Sequence, residues 1–222
     1  MRAEVRSGSV LGLGSGSTAE LMVRMVGSLL ADGTLVGVQG VATSEATARL
    51  ATMVGVPLVG LDQQQRLAVC IDGADEIAPG LALIKGLGGA LLREKVVAAA
   101  ADRLVIVADE SKRVGQLGQH APLPVEVVPF AEPVCRAALA RLGCQPTRRA
   151  ARDGTVFVTD SGNWIVDCAF GLISEPEALA CSISAIPGVV EHGLFLGMAQ
   201  AAYIASDTHV TVETPAGPTT SA

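Results

Sequence analysis

The sequence predicts an α/β fold, a Rossmann-like parallel sheet domain carrying an inserted ferredoxin-like α+β domain. Three observations predict it. Through the first half, short apolar runs alternate with helix-patterned segments, the βαβ rhythm of a parallel sheet covered on both faces. The texture then changes at "HAPLPVEVVPF" (120–130), where three prolines suggest a boundary. Beyond it the order reads β-α-β-β-α-β, after which "AAYIASDTHVTVE" offers strands that can rejoin the first sheet. The expected division is 1–122 with 198–222 for the sheet domain and 123–197 for the inserted one.

Each element has a local reason. "SVLGLG" (9–14) is a short apolar strand ending in glycines. Residues 17–33 show helical spacing at Leu21, Met25, Ser28 and Leu29, with Asp32-Gly33 as a stop. "LVGVQGV" (35–41) is a strand, and 44–55 a helix opening on a serine cap and closing on glycine. "PLVGL" and "LAVCID" read as strands, "GALLREKVVAAAADR" (89–103) as a strong helix, and "LVIVAD" (104–109) as a buried strand. In the second domain, strands at 125–130 and 144–150 flank a helix at 132–142. A hairpin-like pair, "TVFVTD" and "NWIVDCAF", turns at Ser161-Gly162, followed by a helix at 176–186 and the strand "VVEHGLFLG" (189–197). The last residues, "TPAGPTTSA", look frayed.

Composition excludes several function classes. The chain has 222 residues, half of them hydrophobic, enough for one large domain or two small ones. A net charge of −6 argues against nucleic-acid binding, and 3% aromatics against a base-stacking platform. Five widely spaced cysteines (Cys70, Cys135, Cys144, Cys168, Cys181), with no C-x-x-C, read as buried thiols of a reducing compartment. "MRAEVRSGSV" lacks a signal-peptide core, and Lys85, Arg93 and Asp102 interrupt the most apolar region, so no membrane span is expected. These features predict a soluble, cytoplasmic protein. Only three of the 16 basic residues are lysines, Lys85, Lys95 and Lys112. Arginine does the ordinary surface work, which raises the interest of each lysine.

Four stretches carry chemistry. "GLGSGSTA" (12–19) joins a strand to a helix. Amide groups at the helix start, with hydroxyls of Ser15, Ser17 and Thr18, suit a small anion. It is not a dinucleotide fingerprint, because the third glycine position is Ser17, nor a nucleotide P-loop, because G-K-[ST] is missing. A capped turn that binds nothing is the competing reading. "DGAD" (72–75) ends an apolar strand, at the sheet edge where ligands of open α/β folds bind; Asp72 and Asp75 can hold sugar hydroxyls or shuttle protons, or simply make a surface turn. "KGLGGALLREK" (85–95) joins Lys85 and a glycine loop to a helix whose second turn carries Glu94 between apolar residues, a setting that suits a general base. An ordinary helix-surface glutamate is the alternative. "ADESK" (108–112) leaves another strand end with Lys112. His120, His192 and His209 show no metal-ligand spacing and receive no role; neither metal nor cofactor is expected. Hydroxyls and amides suit a phosphate, aspartates suit sugar hydroxyls, lysine suits a developing oxyanion and glutamate suits removal of a proton beside a carbonyl. The set describes cofactor-free aldose–ketose isomerisation of a sugar phosphate.

The stretches "GLGSGSTA", "IDGADEI", "IKGLGGALLREK", "VADESK", "PLPVEVVPF", "VTDSGNWIVDC" and "AIPGVVEHGLF" run in an order that resembles the A-type ribose-5-phosphate isomerase family across nearly the whole chain. The resemblance implies interconversion of D-ribose 5-phosphate and D-ribulose 5-phosphate through an enediol. It implies Glu94 as the base, with Lys85 steadying the enediolate and Asp72 and Asp75 holding hydroxyls. Substrate contacts are implied at Ser15, Gly16, Ser17, Thr18, Asp72, Gly73, Ala74, Asp75, Lys85, Gly86, Leu87, Gly88 and Lys112. It also implies a homodimer or homotetramer. The chain departs from the family in having only "MRAEVRSG" before the first strand, where a helix is usual, in Ser15 for a common threonine, and in Leu87 for a common glycine. A non-catalytic sugar-phosphate sensor is the rival; no helix-turn-helix or basic stretch precedes the loop, and Glu94 is more than a sensor needs. A sugar-phosphate deaminase, a weaker rival, lacks an evident histidine base.

Overall fold

The structure, a computed structural model, describes residues 4–219. In chain order its elements are β1 (Val10–Leu13), α1 (Ser17–Ala31), β2 (Gln39–Ala42), α2 (Glu45–Met53), β3 (Val69–Asp72), β4 (Glu76–Ala78), β5 (Ala82–Ile84), α3 (Leu91–Ala99), β6 (Leu104–Asp109) and β7 (Leu123–Val127). There follow α4 (Glu132–Arg141), β8 (Gln145–Arg148), β9 (Trp164–Ala169), α5 (Pro176–Ser184), β10 (Val189–His192), β11 (Leu194–Phe195), β12 (Ala199–Ala205), β13 (Val210–Thr214) and β14 (Gly217–Thr219). The chain divides into two compact units: Met1–Gly73, Arg93–Glu110 and Met198–Ala222 in one, Ala74–Leu92 and Ser111–Gly197 in the other.

The first unit holds a seven-stranded sheet in the order β14-β13-β12-β6-β3-β1-β2. Strands β2, β1, β3, β6 and β12 are parallel, and β13 and β14 close one edge antiparallel. From β1 the chain runs outward to β2 and then crosses to β3 on the other flank. The loops after β1 and β3 therefore leave the sheet at its topological switch point, where open α/β sheets form a crevice. Leu11, Leu13, Val69, Ile71 and Val105 build the core against Val23 and Val26 of α1. At Gly12 an added Cβ would lie 2.7 Å from Val97 of α3, so the absent side chain lets that helix sit directly on β1.

The buried face of α1 differs from the expectation. Met22, Val23, Val26 and Leu29 turn inward, whereas Leu21 and Met25 are 68% and 50% exposed. Two apolar stripes lie one residue apart on this helix, and a 3.6-residue period cannot choose between them. Leu21 and Met25 instead border a cavity of about 370 Å³ with Ile71, Val105, Val107 and Tyr203.

In the second unit, β7, α4, β8, β9, α5 and β10 follow the predicted β-α-β-β-α-β order, with an antiparallel sheet β10-β7-β9-β8. A small antiparallel sheet, β11-β5-β4, completes it. The unit is larger than the 123–197 segment because β5 pairs with β11, and because the buried Glu76 carboxylate binds the amides of Gly118, His120 and Ala121.

Other expectations need correction. "PLVGL" makes only a bridge, Gly40 with Leu58, and "TVFVTD" only the bridges Ala150–Val156 and Val158–Trp164. Thr159 is drawn instead into a tight turn, its hydroxyl donating to Glu126 at 2.8 Å and accepting from the Asn163 amide at 3.1 Å. The strand at 189–197 breaks at Gly193, where a Cβ would lie 2.3 Å from the Lys85 carbonyl oxygen. Residues 217–219 form β14 rather than a frayed end; 220–222 lie outside the described residues. Four cysteines are buried as expected, but Cys181 is exposed. Hydrogen bonding with Cys144, with burial, pushes the Cys168 thiol far up and keeps it protonated.

Candidate active site

In the first unit, β1 delivers its chain end beside that of β3. Asp72, the last residue of β3, is fully buried, and its Oδ1 accepts the amides of Ser15 at 3.0 Å and Gly73 at 2.7 Å. The approach is so close that a Cβ on Gly14 would lie 2.2 Å from that oxygen, so only glycine serves there. Asp72 thus holds the entrance of the Ser15–Thr18 loop in shape.

Gly16 takes φ +94°, a left-handed conformation open to glycine, and begins α1 without any side-chain cap. The first amides of a helix have no partner inside it, so the start of α1 presents uncapped donors beside the Ser17 and Thr18 hydroxyls. Ser15 also makes contacts within the fold. Its hydroxyl lies within hydrogen-bond distance of Thr43 Oγ1 (2.7 Å), Ser44 Oγ (2.8 Å) and Thr47 Oγ1 (3.1 Å). That cluster fastens the loop to the start of α2, where the Ser44 hydroxyl also accepts the Thr47 amide as helix cap. The Ser15 hydroxyl thus ties the loop to the start of α2.

Glu94 is 5% exposed, as the apolar sequence around it suggested. Because α3 begins at Leu91, Glu94 lies in its first turn, not the second. The partial positive charge of a helix start favours a carboxylate there. Its neighbour Arg93 turns to Glu45 at 2.8 Å, and that hydrogen bond and charge hold the Glu45 carboxyl below the usual range.

In the second unit, Lys85 leaves β5 and is 2% exposed. Its amide donates to the Gly193 carbonyl at 2.9 Å, and its ammonium lies 5.4 Å from the centre of the Phe195 ring. An ammonium so placed is stabilised by the ring face while keeping donors for other partners. Gly86, Leu87 and Gly88 form the loop that follows; Asp75 Oδ2 accepts the Leu87 amide at 2.9 Å, so Asp75 and this loop are brought together. Gly73 and Ala74 link Asp72 to Asp75 along the chain. Lys112, half-exposed in a short 3₁₀ turn after β6, makes no ion pair among the described residues. Nor do those residues contain a group of three or more His, Cys, Asp or Glu side chains able to hold a metal ion.

Sequence reasoning missed several supporting residues: Thr43, Ser44 and Thr47 under the first loop, Glu76 under the 118–121 turn, and Arg149 with Phe157 beside the Lys85 loop. Only the Ser44 cap left a local signal.

Residues 39–209 match the family model described as ribose 5-phosphate isomerase A (phosphoriboisomerase A). The ribose-5-phosphate isomerase A of Roseiflexus castenholzii is 58% identical over 212 residues, 95% of this chain and 91% of that protein. The Gloeobacter violaceus protein of the same name is 52% identical, with 95% and 91% covered. Among solved structures, ribose 5-phosphate isomerase A from Methanocaldococcus jannaschii superposes with a TM-score of 0.90 at 38% identity, covering 95% of this chain and 92% of that one. A D-ribose-5-phosphate isomerase in complex with phospho-erythronic acid gives 0.92 at 33% identity, covering 95% and 92%. The chain therefore belongs to the ribose 5-phosphate isomerase A family.

Proposed function

We propose that this chain interconverts D-ribose 5-phosphate and D-ribulose 5-phosphate through an enediol. The substrate phosphate binds the uncapped amides and hydroxyls of residues 16–18. Glu94 removes the C2 proton and returns it to C1. Lys85 stabilises the negative charge that develops on the enediolate oxygens, an effect strongest where water is excluded. Asp72 and Asp75 hold sugar hydroxyls, one of them moving the proton between O1 and O2, and Lys112 contacts the bound sugar phosphate. The observation that carries the reading is the pairing of burial with charge at Glu94 and Lys85, in a chain of this family. A buried carboxylate at a helix start and a buried ammonium at a strand end are costly to fold, and such groups cluster at functional sites. The test is direct: purified protein mixed with ribose 5-phosphate should form ketose, followed by absorbance, and protein that forms none contradicts the proposal.

We also propose a cytoplasmic homodimer or homotetramer that engages neither nucleic acid nor membrane. Phe130 is 96% exposed, with Val128 and Val134 exposed beside it in sequence, an apolar group that a second copy would cover. The net charge of −6 opposes nucleic-acid binding, and no helix of the described residues is long and apolar enough to cross a membrane. Light scattering on the purified protein should give a mass of at least two chains; a monomer contradicts the assembly.

A further inference from the structure

The loop at 86–88 is closed by one turn hydrogen bond, from the Gly89 amide to the Gly86 carbonyl at 3.0 Å, and is fastened from outside as well. Arg149, just beyond β8, reaches it from the α+β sheet: a single nitrogen, Nη1, donates to the carbonyls of both Gly86 and Leu87, each at 2.9 Å. The rest of the guanidinium is committed. Nε donates to Asp167 Oδ2 at 2.9 Å, and Nη2 pairs with Asp167 Oδ1 on β9. The plane lies 5.7 Å from the centre of the Phe157 ring, and that ring fills the space beside Gly89, where a Cβ would lie 2.3 Å from Phe157 Cζ. The anchor is rigid, because the Arg149 amide donates to Ile165 and its carbonyl accepts from Phe157.

Peptide planarity turns this clamp into an aiming device. In a trans peptide the C=O and N–H point in opposite directions. Fixing the Gly86 carbonyl on Arg149 therefore sends the Leu87 N–H to the other side of the loop, where Asp75 accepts it at 2.9 Å. Fixing the Leu87 carbonyl sends the Gly88 N–H to that same side. The Gly88 amide is exposed and has no acceptor among the described residues. One side of the loop thus faces Arg149, and the other presents a carboxylate and an unused N–H donor.

We propose that Arg149 is a positioning residue for the isomerisation: by fastening two consecutive carbonyls it aims the Gly88 amide, beside Asp75, at an oxygen of the sugar phosphate that gains charge in the enediolate. This rests on the reading that the Lys85–Gly88 loop faces substrate. Arginine is required, because its planar fork supplies donors in three directions at once, to two carbonyls and a bidentate carboxylate; a lysine ammonium has three donors at one point.

The test uses the full chain with Arg149→Lys, which keeps the charge and loses the fork. Misplacement of a donor by about 1 Å can lower turnover on the order of 10²-fold. We expect kcat for ribose 5-phosphate to fall roughly 10- to 100-fold, with KM within about threefold. Amide exchange at 86–89 should quicken while exchange in β7 and β9 stays protected. An active wild type whose Arg149→Lys variant turns over within about twofold of it overturns the positioning role alone. So does a loss of kcat accompanied by equal loss of protection in β7 and β9, which marks a general structural role. A wild type without isomerase activity overturns the underlying reading, and the proposal with it. Should Arg149→Lys not fold, Phe157→Leu leaves the Arg149–Asp167 pair in place and carries the same test. A loss of about threefold or more in kcat with faster exchange at 86–89 supports the proposal, and unchanged kcat overturns it.

Discussion

Glu76 is the acid in "DGADE" whose work is structural, and Glu76→Gln measures that work. The carboxylate is buried; Oε1 accepts the amides of His120 at 2.6 Å and Ala121 at 2.8 Å, and Oε2 accepts that of Gly118 at 2.6 Å. Glutamine keeps the shape but has only one oxygen. With that oxygen at the two-amide end, the NH₂ group faces the Gly118 amide, donor against donor. One hydrogen bond to a charged acceptor is lost, worth about 1.5–3 kcal/mol, and the other two weaken towards the neutral value of about 1 kcal/mol. A neutral side chain is cheaper to bury, which offsets part of this. The balance is a destabilisation of about 2–4 kcal/mol. Trp164, the sole tryptophan, lies on β9 in the same unit, so its fluorescence during urea unfolding reports on the unit that Glu76 organises. The midpoint should fall in proportion, with the slope unchanged. An unchanged midpoint would refute the reasoning, because it would mean the three amides find other partners without loss.

Two further predictions separate binding from architecture. Ser17→Ala with Thr18→Ala should raise KM for ribose 5-phosphate while leaving the poor turnover of unphosphorylated ribose nearly untouched. Ser15→Ala, which breaks only the tie to Thr43, Ser44 and Thr47, should lower stability by about 1 kcal/mol and leave KM close to wild type, as thermal melts and initial rates would show. Lys85→Ala and Lys112→Ala should each lower turnover, and Lys95→Ala should not; Lys95→Ala as the most damaging of the three would mean the site is misplaced.

Much of this arrangement is legible in the sequence because its signals are local. "VCID" is an apolar run that ends in an acid, which marks the carboxyl end of a buried strand and places Asp72 at the sheet edge. Ser44 before a helical pattern is a cap, and Asp-Gly or Gly-rich stretches mark the loops. The illegible part is long-range. Ser15 meets hydroxyls 28 to 32 residues away, and Arg149 reaches carbonyls more than 60 residues away. No spacing rule connects such pairs. The two acids Asp72 and Glu76 look alike in "DGADE", and only the amides facing each carboxylate tell a loop-shaping aspartate from a turn-anchoring glutamate. The buried face of α1 was ambiguous for a different reason: both candidate stripes are apolar, so the sheet beneath decides which one is covered.

The most direct test of the central claim is the turnover number of Glu94→Gln with ribose 5-phosphate. Glutamine keeps the length and hydrogen-bonding capacity of Glu94 in its buried place on α3 but cannot accept a proton. Proton transfer by a positioned base contributes about 10²–10⁴-fold, so kcat should fall by roughly that factor while KM and the melting temperature stay near wild type. A folded Glu94→Gln protein that turns over within about threefold of wild type would contradict the assignment of Glu94 as the base.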